Sequence, residues 1–463
     1  MFDADALEVT EVEVPTVLAI EPAVTKPEPV TAGERVASVD VLRGVALLGI
    51  LAMNIVFFSW PEDAYTNPTR GGGDTGLNLY IWAFNHLVFD VKMMSIFSML
   101  FGAGLVLMGE RADARGKSLV WIYYRRVLWL LVIGVLHAYL LWSGDILVLY
   151  AQCGLLLYPF RHLRARTLVI LGVLALSVVI LLGAAVGAGV SFLEATAAKA
   201  QATKESGEEP KKFDAWIETI WTTKILPELR PSPEKLAERS EKEIKAHRDG
   251  GYLGIVRHNA PQLLATHTIV FVIFLVWEIS GRMLLGMGLM KLGVFSAARS
   301  RSFYGWMIAL GYGLGLPLVA YDTYLLLIHN FEFPHSLRSM FLFNHIGSIL
   351  VALGHVGVVM MICKSGALPW LTRRLAAVGR MALSNYLMHS LICTTLFYGY
   401  GFALYGRLDR TWLALIVLAI WTLQLLISPL WLARYRFGPA EWVWRSLTYW
   451  RLQPMRREVP ALG

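Results

Sequence analysis

Side chains able to move protons or hold phosphates are sparse in this chain and recur at helical spacings inside apolar runs. Arg43 and Asn54 stand eleven residues apart in SVDVLRGVALLGILAMNIVFF, residues 38–58. Eleven residues make almost three helical turns, so the two share a face about 16 Å apart, with Asp40 one turn before Arg43. His86 and Asp90 are i,i+4 and share a face, while His137 precedes, and Asp145 closes, the turn WSGD at 142–145. A histidine oriented by a carboxylate is what general-base chemistry requires. A neutral imidazole held in one tautomer can take a proton from an acceptor hydroxyl. Asp145 or Asp90 could orient His137. Asp40, Arg43, Arg125 and Arg126 form a second set, suited to the phosphates of a cosubstrate. Arg125 and Arg126 also read as topology anchors.

Two further i,i+4 pairs occur later, Glu278–Arg282 and Asn385–His389. They read either as internal ion pairs and helix–helix hydrogen bonds or as substrate-binding residues along a path through the molecule. Asp322, His345, His355 and Gln424 are single polar positions, expected to be packing contacts. The sequence carries no HExxH, GxSxG, phosphate-binding loop or dinucleotide fingerprint.

The elements that must position these groups are membrane-spanning helices. Of 463 residues, 56% are hydrophobic and 16% charged, with a mean hydropathy of +0.53, far from the balance of a soluble domain. Ten apolar runs are long enough for candidate spans: about 38–58, 79–108, 119–142, 146–160, 167–192, 264–290, 303–328, 341–363, 379–403 and 411–433. The expectation is an all-α polytopic bundle. Basic residues cluster after the even-numbered spans, as in Arg111, Arg115, Lys117, Arg125 and Arg126 after the second. That bias implies that the N- and C-termini are both cytoplasmic. The net charge of +8 serves this topology, and nucleic-acid binding is not expected.

The chain divides into an acidic, proline-bearing tail (1–36), a five-span block (37–193), a charged helical insertion outside the membrane (194–262), a second five-span block (263–436) and a cytoplasmic C-terminal tail (437–463). The first tail is expected to be disordered. Cys153, Cys363 and Cys393 lie in apolar runs without a pairing pattern, so neither a disulfide scaffold nor a metal site is implied.

Several strings together resemble the YeiB-like family of multi-pass bacterial membrane proteins, a family without assigned function. They are DVLRGVALLGILAMNI at 40–55, SIFSMLFGAG at 95–104, GVLHAYLLWSGDILVLYA at 134–151, GRMALSNYLMHS at 379–390, FYGYG at 397–401 and FGPAEWVWRSLTYW at 437–450. The resemblance implies the inner membrane as location. The opening string is also distantly similar to the transmembrane acyltransferase superfamily, whose members move an acyl group from cytoplasmic acyl-CoA to an acceptor across the membrane. In its polysaccharide-modifying members an Arg is followed, after ten residues, by a catalytic His. Here Arg43 fits, but Asn54 stands at the His position, and an amide cannot act as a base.

The leading expectation is therefore a membrane acyltransferase with no permanently bound cofactor and acyl-CoA (acetyl-CoA) as cosubstrate. Arg43, aided by Asp40 and Arg125, would hold the phosphates and Asn54 would donate to the acyl oxygen. His137 would act as base, oriented by Asp145 or Asp90, with His86 as a further catalytic candidate. The acceptor would be a glycan, a lipid or a small metabolite. The alternative is a transporter using the His86–Asp90, Glu278–Arg282 and Asn385–His389 pairs as a polar pathway. Wide aromatic faces are compatible with a homodimer.

Overall fold

The computed structural model describes residues 36–116, 118–332 and 339–457, without the side chains of 339 and 340. Lys117 and nearly all of the acidic tail lie outside them. Among the described residues the architecture is a helix bundle without strands. In chain order the main helices are α1 (Ala37–Ser59), α2 (Gly76–Val88), α3 (Lys92–Ala114), α4 (Val120–Leu140), α5 (Leu147–Leu157), α6 (Ala165–Glu205), α7 (Lys212–Ile220) and α8 (Pro233–Asp249). They continue with α9 (Gly251–Ala265), α10 (Val276–Lys291), α11 (Arg301–Ile328), α12 (Asn344–Ser365), α13 (Pro369–Arg380), α14 (Ala382–Phe397), α15 (Arg410–Arg434) and α16 (Pro439–Tyr449).

Among the described residues, eight helical stretches are long and apolar enough to cross a membrane. The two remaining expected spans, 146–160 and 379–403, fold as α5 and α14, of 11 and 16 residues. At 1.5 Å per residue these are about 17 and 24 Å long, short of the roughly 30 Å hydrocarbon layer. Burial sorts the long helices. The apolar window of α1 is 78% buried, whereas those of α6 and α11 are 22% buried. Helix α1 is thus the axis of the bundle, and α6 and α11 turn side chains such as Leu181 and Trp306 outward. That outward apolar belt is what a lipid-facing surface requires.

Local signals set the boundaries. Pro61 follows the end of α1, Ser300 accepts a hydrogen bond from Phe303 N to start α11, and Asp409 accepts from Trp412 N to start α15. Between α2 and α3 the chain turns at Val91, which has φ of 61°. That conformation is unfavourable for a β-branched residue. It breaks one long apolar stretch so that Asp90 and Lys92 flank the turn.

Helices α1 and α13 cross backbone to backbone, in line with the close approach that Gly44 allows. A Cβ on Gly379 would stand 1.9 Å from Asp40 O, and one on Gly44 2.1 Å from Leu375 O. Backbone cannot yield as a side chain can. Gly379→Val is therefore expected to cost at least the roughly 3 kcal/mol upper range of core overpacking and to lose the monodisperse peak in detergent size-exclusion chromatography. Gly305→Val, at a position with open space around it, serves as control and keeps that peak.

Helix α6, 41 residues long, spans about 60 Å, twice the hydrocarbon thickness. Its distal part and α9 carry α7 and α8, the charged insertion. The insertion is seated on the bundle through Glu243, whose Oε1 accepts from Tyr405 Oη at 3.1 Å and from Glu62 N at 3.2 Å. His247 stacks on Tyr405 with ring centroids 4.6 Å apart. Burial, reinforced by Glu62 and Asp63, pushes the Glu243 carboxyl up to about 7. Below the ordinary carboxyl value both folded and opened states are protonated. As pH rises from the ordinary value through about 7, the opened state ionises while the folded one resists, so seating weakens across that window and is weakest above it. Burial pushes His247 down to about 4, which acts oppositely below its ordinary value. The protection of amides in 233–249, measured against the intrinsic exchange rate at each pH, is therefore expected to be lower at pH 8 than at pH 6.5. Glu243→Gln should abolish that difference, which for a carboxyl near 7 is about 1 kcal/mol between these two pH values.

Candidate active site

The geometry begins where α4 ends. His137 lies in the last turn of α4, and the tight WSGD turn brings Asp145 back beneath it. His137 Nδ1 and Asp145 Oδ1 are 2.7 Å apart. The other carboxylate oxygen, Oδ2, accepts Val148 N at 2.8 Å, which ties the carboxylate to the start of α5. A carboxylate can only accept, so Nδ1 carries the proton and Nε2 is left bare. Nε2 faces Ser390 Oγ of α14 at 2.8 Å. His137, Asp145 and Ser390 are all buried, Ser390 completely. The result is an Asp–His–Ser row joining three segments.

One helical turn before Ser390, Tyr386 stands against His137 with ring centroids 5.2 Å apart. Its hydroxyl accepts Ile146 N at 3.3 Å. Tyr386 and Ile146 are also walls of a cavity of about 270 Å³. Helix directions give that cavity two ends. Arg43 near the start of α1, Arg126 early in α4, Arg111 near the end of α3 and Arg380 at the end of α13 all line it, with Arg445 from α16. Ile50 two turns beyond Arg43 on α1, Phe97 in the first half of α3, Tyr150 in the first turn of α5 and Tyr386 early in α14 also line it and form its apolar and aromatic part. Arg43 Nη1 donates to Asp40 Oδ1 at 2.8 Å. The Arg126 guanidinium lies 3.8 Å over the Trp444 ring, and Trp444 Nε1 donates to the Arg126 carbonyl at 2.8 Å.

Glu441 lines the arginine-rich end as well. It accepts from the backbone of Leu383 at 2.6 Å and Ser384 at 3.1 Å, so it caps the first turn of α14. Burial pushes its carboxyl up from its ordinary value. Residues 437–450 thus fold back, as α16, onto the bundle that holds the site.

Several expected site residues lie elsewhere. Along α1 the cavity is lined by Val39, Asp40, Arg43 and Ile50. It leaves the helix one turn short of Asn54, which lines neither of the two cavities described. Arg126, not Arg125, faces the cavity, because adjacent helical residues point about 100° apart. His86 and Asp90 do not join His137. His86 Nδ1 is 3.1 Å from Asp90 Oδ2 and Nε2 is 3.1 Å from Asp322 Oδ2. Tyr65 donates to Asp90 at 2.9 Å, and buried Lys92 donates to the His86 carbonyl at 2.5 Å. This is a second, separate polar centre, and Asp322 is an ion partner within it and more than a packing contact.

The later pairs are likewise not cavity walls. Arg282 Nη1 lies 2.6 Å from Glu278 Oε1, with His345 Nδ1 3.3 Å from Oε2. Asn385 donates to Val378 O and Ser428 Oγ, and His389 Nε2 donates to Gln424 Oε1. The Asn385 amide and His389 Nε2 are thus bonded between helices, as buried amides and imidazoles ordinarily are. Sequence spacing did not identify Ser390 or Tyr386, although both lie within the string at 379–390. Nor did it identify Lys92, whose signal was a lone amine after Asp90 in an apolar stretch.

Such an arrangement, a buried Asp–His–Ser row beside an arginine-ended cavity among helices long and apolar enough to cross a membrane, fits a multi-pass helical membrane protein with an enclosed polar centre. Residues 289–451 match the family described as "Protein of unknown function (DUF418)". The chain is 32% identical to the uncharacterized protein YeiB of Escherichia coli over 93% of its length and 99% of that protein. It is 30% identical to the uncharacterized protein YxaH of Bacillus subtilis, over 93% of this chain and 98% of the relative. An uncharacterized 39.9 kDa protein of Bacillus acidopullulyticus is 25% identical over 92% of this chain and 98% of the relative. No solved structure gives a significant match. The chain belongs to the YeiB-like DUF418 family.

Proposed function

We propose that the protein is a membrane-embedded acyltransferase that takes an acyl group from an acyl-CoA and passes it to a hydroxyl or amine acceptor. The observation that carries this reading is the cavity. It starts at Arg43, Arg126 and Arg445 and ends on Tyr386 and Ile146, the side chain and backbone that separate it from His137. Arginines suit phosphates and the 3′-phosphoadenosine of CoA through charge-assisted bonds. The apolar end suits a pantetheine arm and a short acyl chain. On the topology that the basic loops imply, the arginine end faces the cytoplasm, where acyl-CoA is made.

His137 then supplies the base. Asp145 fixes its tautomer and stabilises the imidazolium formed when Nε2 takes a proton. The purified protein in lipid nanodiscs, given acetyl-CoA and a bacterial membrane extract as acceptor source, is expected to release free CoA thiol in a His137-dependent manner. Saturable thiol release that His137→Gln leaves unchanged would remove His137 from the mechanism. An absence of CoA binding and release would remove the reading itself.

A further inference from the structure

Several helical serines in this fold turn their hydroxyls back to the preceding turn, whereas Ser38 and Ser384 bond to other segments. Ser59 donates to Ile55 O at 2.8 Å, Ser95 to Val91 O at 2.7 Å and Ser98 to Met94 O at 2.8 Å. Ser390 does not follow that pattern. Its hydroxyl faces His137 Nε2 at 2.8 Å, across 253 residues of sequence. In the neutral His137 ring with its proton on Nδ1, the nitrogen able to accept a proton is therefore already directed at a serine. An external acceptor could reach that nitrogen only after Ser390 has left it.

We propose that Ser390 is the nucleophile, and that the acyl group rides on Ser390 Oγ as an ester between donor and acceptor. This deepens the acyltransferase reading and rests on it for the identity of the donor, a CoA thioester. In the first half, Ser390 Oγ attacks the thioester carbonyl while its proton passes to His137 Nε2. The C–S bond breaks, and the thiolate leaves with that proton as free CoA thiol. In the second half, the acceptor hydroxyl attacks the ester carbonyl and gives its proton to His137. Nε2 then returns it to Ser390 Oγ as the C–O bond breaks. No oxidant or metal enters the balance.

Tyr386 is the group that controls access. It shares a face of α14 with Ser390 at i,i+4, its ring lines the cavity, and its hydroxyl is held by one long bond from Ile146 N at 3.3 Å. Rotation of this ring joins the row to the cavity, and its return shields the ester from water. A two-step scheme needs that shielding, because an acyl-serine exposed to solvent is hydrolysed before an acceptor arrives.

The test uses the full-length protein in detergent with radiolabelled acetyl-CoA and no acceptor, followed by acid quench and peptide mapping. The expected result is a burst of CoA thiol and one hydroxylamine-labile acetyl group on Ser390. It should be absent from Ser390→Ala, and Ser390→Cys should carry it as a thioester. Ser390→Ala should also lower turnover at least a hundredfold while its melting temperature and elution stay those of the wild type. A monodisperse Ser390→Ala that transfers within tenfold of wild type overturns the proposal, as does CoA release without an adduct on Ser390. A fluorophosphonate probe, which needs no thioester, separates the two levels. If the wild type releases no CoA but the probe labels Ser390 in a His137-dependent way, the donor falls and the nucleophile stands. If neither reagent marks Ser390, the nucleophile falls.

Discussion

Asp145→Asn is expected to lower acetyl transfer from acetyl-CoA by about 10³ to 10⁴-fold, with the KM for the thioester within about twofold of wild type. The size follows the cost of the same change in Ser-His-Asp hydrolases, about 10⁴-fold. The cause can be traced atom by atom. Asp145 Oδ2 already accepts Val148 N at 2.8 Å, so the single oxygen of an asparagine would stay on that donor. The amide NH₂ would then face His137 Nδ1, where Oδ1 now lies at 2.7 Å. An N–H aimed at Nδ1 forces the opposite tautomer and places the ring proton on Nε2. That nitrogen can no longer accept from Ser390. Because the arginines proposed to bind the phosphates belong to the other end of the cavity, donor affinity should be preserved. Steady-state kinetics on the nanodisc protein would decide it, and transfer within tenfold of wild type would mean that the Asp145–His137 bond only supports packing.

The same geometry explains what could be read from the chain and what could not. The bundle was legible because apolar runs of membrane length need no long-range information: the backbone in lipid must satisfy itself locally. The His137–Asp145 pair was legible for a similar reason, since a tight turn confines the two ends of WSGD. Ser390 was not, because its partner is 253 residues away and a serine in an apolar helix has an ordinary local explanation, a bond to the preceding turn. Asn54 was given a role on helical periodicity and on its place in the acyltransferase-like string. Periodicity says that Arg43 and Asn54 share a face of α1, but not which neighbouring helix covers each turn, and the cavity departs at Ile50. The pairing of His86 with Asp90 was correct locally, while its second carboxylate, Asp322, came from a helix no spacing rule could place.

Helix α13 links the two halves of the site. It crosses α1 at Gly44 and Gly379, where the backbones meet, and runs directly into α14, which carries Tyr386 and Ser390. Arg43 Nη1 is 3.4 Å from the Gly379 carbonyl at that crossing. The arginine end of the cavity and the serine are thus held in register by one backbone contact. Glu441 secures the same junction from the other side by capping the first turn of α14. A displacement at the crossing would move the arginine end relative to Ser390, so on the proposed mechanism lesions there should lower turnover even in molecules that remain folded.

Arg43→Ala combined with Arg126→Ala is expected to raise the KM for acetyl-CoA by about 100-fold or more and to change kcat little. Each charge-assisted hydrogen bond contributes about 1.5–3 kcal/mol, and every 1.4 kcal/mol is tenfold, so the loss of even one phosphate contact per arginine reaches that range. The effect belongs in KM because phosphate contacts are made equally in the bound thioester and in the transition state. Two comparisons separate binding from damage. S-acetyl-pantetheine lacks the phosphates, so its transfer should be poor in the wild type and unchanged by the double substitution. Arg125→Ala alters a neighbouring arginine that does not line the cavity, and it should leave the KM for acetyl-CoA within about threefold. Arg126 also covers Trp444, so melting temperature must be followed in parallel. An equal loss toward both thioesters would assign these arginines to packing, whereas a loss confined to acetyl-CoA would assign them to its phosphates.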